Sequence, residues 1–183
     1  MAGDSSAPVT LLVRPLKQMS KSVGATSSST GPWVWSFPLA YGLHIAEEYW
    51  FDFPAYVANL SGRHISNPQF LLINAIWWLL MVATVVLVRA RSSRAWLVVT
   101  LATVLGINTA LHIVGSVVTF TYSPGTVTAL FLYVPLVVYA LKRLLPHVRR
   151  GLAVRAAALG ATIHAGVLLL AANPSLIRSP GAV

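Results

Sequence analysis

The sequence predicts an all-α protein, a bundle of about five membrane-spanning helices with its N-terminus on the cytoplasmic side. Three observations predict it. Of the 183 residues, 56% are hydrophobic and only 9% charged, where soluble domains carry about a quarter. Apolar stretches of about 17 to 25 residues, long enough to cross a bilayer core, follow one another along the chain. Basic residues gather in alternate connections between those stretches, as they do in multi-pass proteins. So few charges cannot coat a water-soluble globule of this size. A soluble enzyme is thereby excluded, as is a disordered chain, which needs low hydrophobicity. A nucleic-acid module is excluded too, because it needs its basic residues clustered on a folded face. The net charge of +9 instead serves topology and contact with anionic lipid head groups. There is no cysteine, so any metal would sit on nitrogen and oxygen ligands.

Taken in order, residues 1–31 read as a flexible polar tail with Arg14, Lys17 and Lys21, then a Ser/Thr/Gly run from Ser27 to Gly31. They lack the apolar core and cleavage site of a secretory signal. Residues 32–173 form the transmembrane bundle. Its first span runs from Trp33 to Phe51 and contains Pro38, Glu47 and Glu48. The second runs from Pro68 to Val88, opened by the helix-start signal Asn67-Pro68. The third runs from Trp96 to Tyr122, and the fourth from Pro124 to Leu141 with a kink expected at Pro135. The fifth runs from Leu152 to Ala172 and stops at Asn173-Pro174, leaving a short C-terminal tail, 174–183. Arg89, Arg91 and Arg94 follow the second span; Lys142, Arg143, Arg149 and Arg150 follow the fourth. Both connections therefore face the cytoplasm, and the expected location is the cell membrane.

Apart from Asp4 in the tail, the carboxylates are Glu47, Glu48 and Asp52, all within the stretch from His44 to Asp52. An ionisable side chain at membrane depth costs roughly 3 kcal/mol on insertion scales unless it is paired or metal-bound. His44 and Glu48 are four apart and share a helix face, with Glu47 close beside them. The third span carries a second such pair, Asn108 and His112. In the predicted topology both pairs fall in the outer half of the bundle, with Asn74, His64 and the turn Tyr122-Ser123-Pro124-Gly125 in the same layer. His164 is expected somewhat deeper, and His147 in solvent.

These residues carry a resemblance. His44-x-x-Glu47-Glu48, Asn108-x-x-x-His112 and Tyr122-x-Pro124-Gly125, in that order, resemble the bacterial membrane proteins of the HXXEE-motif family over roughly residues 33 to 172. The resemblance implies that these eight residues are signature positions; it implies no particular activity.

The leading expectation is a membrane-embedded enzyme acting on a lipophilic small molecule. Zinc or iron would be held by His44, Glu48 and His112, with Glu47 a further candidate ligand. Glu47, Glu48, Asn108 and Tyr122 are the candidate catalytic groups, Glu47 as general acid or base and Asn108 as an orienting group. A metal-free cyclase or isomerase using Glu47 and Glu48 is the alternative. A further one is a carrier or accessory protein with the glutamates as a proton or cation site. The bland reading is that a glutamate pairs with His112 or Arg63 and locks helices together. Trp50 is expected near the pocket, the other tryptophans in interfacial belts or packing.

Overall fold

A computed structural model describes residues 30–173; the expected tails, apart from Thr30 and Gly31, lie outside them. Every described element is helical. After a 3-10 turn, Pro32–Trp35, helix α1 spans Ser36–Trp50 and α2 spans Phe53–Ser61. Helices α3, Asn67–Ala90, and α4, Trp96–Thr119, follow. Next, Thr126–Thr128, a π-helical turn Ala129–Tyr133, the segment Val134–Leu144 and a last 3-10 turn make up α5, Thr126–His147. Helix α6 spans Arg150–Ala172.

Four of these, α3 to α6, are long and apolar enough to cross a membrane. Their outward faces expose large apolar side chains such as Leu79, Val117 and Leu169, which suits lipid rather than water. The first expected span differs. Helix α1 has 15 residues, about 22 Å at 1.5 Å per residue, and the 3-10 turn Pro32–Trp35 runs directly into it. Its chain turns at Asp52, which adopts the left-handed conformation (φ 52°) and caps α2 through a hydrogen bond from Ala55 N at 3.3 Å. The connection read from sequence as a loop thus contains a helix. Asp52 serves as its cap.

The starts of the other helices obey local rules. Ser66 and Gln69 form a capping box at α3, one residue before the Asn67-Pro68 signal. At Pro135 the expected irregularity takes the form of the π turn directly before it. Proline lacks an N–H, and its ring would press on the carbonyl of Phe131 in a regular α-helix; the widened turn relieves both problems.

Helix α4 is central and packs against α3, α5 and α6, while α1 leans on α3 and α5. The apolar core lies among α1, α3, α4 and α5, with Phe37, Val85, Val98, Leu105 and Tyr133 buried. Contact between α4 and α6 rests on small residues, as is usual between helices in lipid. A Cβ at Gly160 would lie 2.7 Å from the Thr100 carbonyl oxygen and 2.8 Å from Thr103 Cβ. The Thr100 hydroxyl donates to the Ala156 carbonyl at 3.0 Å. These contacts fix the register of the two helices. Because α6 touches α4 far more than α3, an apolar cavity of about 630 Å³ remains between α3, α4 and α6, roofed by α1 and α2.

Candidate functional site

His44 and Glu48 come from the last turns of α1, and His112 from the second half of α4. One ligand atom of each lies within 4.8 Å of the others, and all three side chains are buried. His44 Nε2 is 3.5 Å and His112 Nε2 is 3.3 Å from the same carboxylate oxygen, Glu48 Oε1. The rings meet edge to face, centroids 4.9 Å apart. All three side chains line the cavity.

The outer nitrogens of the rings are held by hydroxyls that sequence reading overlooked. His44 Nδ1 lies 2.8 Å from Thr128 Oγ1, and His112 Nδ1 lies 3.1 Å from Ser123 Oγ. The Thr128 hydroxyl donates its only hydrogen to the Gly125 carbonyl at 3.2 Å. It therefore accepts from His44 Nδ1–H, which turns Nε2 toward Glu48 Oε1. That nitrogen has no hydrogen-bond partner. In the neutral ring this nitrogen carries the lone pair that a metal ligand requires.

Gly125 explains why the turn is built as it is. Its φ of +100° suits glycine, and a Cβ there would come within 2.7 Å of both His44 Cε1 and His112 Cε1. The turn therefore presses flat against both imidazoles.

Glu47, the other expected ligand, points elsewhere. Its Oε1 accepts from Gly125 N at 3.2 Å, Val127 N at 3.0 Å and the Tyr122 hydroxyl; its Oε2 accepts from Thr128 N at 2.7 Å. A carboxylate so placed neutralises the positive end of α5 and supplies its missing acceptors from another helix. It is not among the three groups around the open point. Partial desolvation of its hydroxyl, with the Glu47 carboxylate beside it, pushes the Tyr122 phenol up to about 12, so it stays protonated and keeps donating. Tyr122 itself is exposed and stacks edge-on against Phe51, centroids 5.4 Å apart; it belongs to the cap.

The remaining expected members divide. Asn108 lines the cavity, but hydroxyls rather than its amide orient the histidines, and its Oδ1 is buried without a partner. His164 also lines the cavity, 4% exposed, with neither ring nitrogen partnered. Asn74 accepts from the Tyr41 hydroxyl at 2.8 Å and ties α1 to α3. Arg63 donates to Asn173 Oδ1 at 3.2 Å rather than to a glutamate. His64 and His147 are exposed. Trp50, expected near the pocket, is 80% exposed and turned away from it, whereas Trp77 lines the wall. The reason is rotational: two residues beyond Glu48 the α1 helix has turned by about 200°.

Comparison with curated proteins and with solved structures returns no match. Residues 35–140 match the family described as "Protein of unknown function with HXXEE motif". That span includes the HxxEE stretch on α1, the NxxxH pair on α4 and the turn that lies against both histidines, and the chain belongs to this HXXEE family.

Proposed function

We propose that this protein is a membrane-embedded enzyme that acts on a lipophilic small molecule at a metal centre formed by His44, Glu48 and His112. One observation carries the reading. Two imidazole Nε2 atoms and a carboxylate oxygen, from two helices, converge on one point in the wall of an apolar cavity of about 630 Å³. Their separations of 3.5 and 3.3 Å match the spacing of about 3.4 Å between ligand atoms that metal bonds near 2.1 Å produce in a tetrahedral site. Three protein ligands with a fourth position open to a cavity is the arrangement of catalytic rather than structural sites.

A divalent ion there would supply Lewis acidity toward an oxygen of the substrate. The chain's own residues do the rest. Thr128 and Ser123 hold the rings in orientation, Gly125 lets the turn close over them, and the mainly apolar wall disfavours water. Of the two adjacent glutamates, Glu48 faces the reacting space; Glu47 holds α5 in place. Acid–base work without a metal would fall to Glu48 and the two histidines for the same reason.

The test is elemental analysis of protein purified in mild detergent. Glu48→Ala and His112→Ala should each remove bound metal, while His147→Ala, a change in an exposed residue, should not. Equal metal content in all three variants would overturn the assignment.

A further inference from the structure

Asn108 and His164 are two polar residues of the cavity wall that neither the His/Glu cluster nor the α5 cap uses; the unpartnered Tyr56 hydroxyl is a third such group. The helix register brings Asn108 and His164 together. On α6, Ala156 meets Thr100 through a hydrogen bond, and Gly160 sits against Thr100 and Thr103. One more turn along these parallel helices puts His164 level with residues 104 to 107 of α4. Asn108 is the next position along on the same cavity wall, and His112 lies four residues, about 6 Å, further. Both side chains line the cavity, and three of their hydrogen-bonding atoms (Asn108 Oδ1, His164 Nδ1 and Nε2) are buried without a partner.

A buried polar atom left unpaired costs about 1 to 3 kcal/mol, and here three lie close together on the wall of a mainly apolar cavity. His164 is not within the group that converges on Glu48, so it adds no ligand there. We infer that Asn108 and His164 recognise a hydroxyl group on an otherwise apolar ligand. The chemistry selects a hydroxyl: Asn108 Oδ1 can only accept, and a neutral imidazole offers one donor and one acceptor. A ketone, ester or ether has no hydrogen to give Asn108. At about 30 Å³ per non-hydrogen atom, the cavity holds roughly 20 such atoms, the size of a long-chain or polycyclic alcohol. Held there, the hydroxyl places the neighbouring carbons within reach of the cluster about one turn away. The inference rests on reading the cavity as a site for a lipophilic small molecule.

The test uses the full chain in detergent with 9,10-dibromooctadecanol and its methyl ether as probes, since bromine quenches tryptophan and Trp77 lines the cavity. The saturable quenching is the part lost in Trp77→Phe. The alcohol should bind on the order of 10-fold more tightly than the ether. Asn108→Leu and His164→Phe should abolish that preference; His164→Gln, which keeps a donor and an acceptor, should retain it. Metal content, measured on the same samples, should be unchanged in all three. Equal binding of alcohol and ether by the unaltered protein, or absence of saturable quenching, overturns the inference without any variant. A preference that survives both apolar substitutions does so too. Loss of the metal reading with the preference intact would sink the proposed centre alone.

Discussion

Two adjacent glutamates should fail in opposite ways when altered, and Glu47→Ala is the more telling change. It removes the acceptor for three main-chain N–H groups at the start of α5 and for the Tyr122 hydroxyl. Tyr122 and Val127 are exposed and can turn to water, but Gly125 is buried. An orphaned buried donor costs about 1–3 kcal/mol, and loss of an N-terminal cap about 0.5–2 kcal/mol. Together these give a destabilisation of about 1.5–5 kcal/mol, and a melting temperature lowered on the order of 10 °C for a chain of this length. Metal bound at low temperature should persist, because Glu47 touches none of the three ligand atoms. Glu48→Gln should do the reverse. With its NH2 where Oε1 stands, the introduced amide can donate one hydrogen to each imidazole Nε2, so unfolding moves little, while the metal is lost with the charge. Thermal unfolding in detergent and elemental analysis on the same samples read both effects. A Glu47→Ala protein that melts like the parent and has lost its metal would refute the division of roles.

Three further outcomes follow from the same contacts. Gly125→Ala sets a Cβ against both imidazoles and requires a left-handed backbone at a residue with a side chain; it should cost about 1–2 kcal/mol and displace the rings, read as lost metal by elemental analysis, and retention of full metal would contradict it. Ser123→Ala and Thr128→Val should each weaken metal affinity about 10- to 100-fold by freeing a ring nitrogen, checked by competition with a chelator; unchanged affinity in both would show that the hydroxyls orient nothing. Gly160→Val should part α4 from α6 and lower stability by about 1–3 kcal/mol, whereas Gly151→Ala, with nothing within 4 Å of its Cβ, should not. Equal melting of those two variants would dispute the tight contact at Gly160.

What the sequence determined by itself was set by short-range physics. Apolar lengths define α3 to α6 because nothing shorter spans a bilayer and nothing more charged tolerates it. His44, Glu48, Asn108 and His112 stood out because ionisable and amide groups are costly in such helices, and an i,i+4 spacing puts each pair on one face. What length did not show is that a left-handed Asp52 starts a second helix directly after α1; no periodicity signals that turn. The tertiary structure alone decided the rest. Two neighbouring glutamates differ by about 100° of helix rotation, so one meets the histidines and the other meets the end of α5, and which is which depends on where α5 begins. The orienting hydroxyls of Ser123 and Thr128 look like any others until the turn at Gly125 brings them to the rings. Asn108 and His164 are 56 positions apart, and only the close approach permitted by Gly160 sets them on one cavity wall. Rotation and register are properties of how helices pack against one another, and a single chain read residue by residue does not contain them.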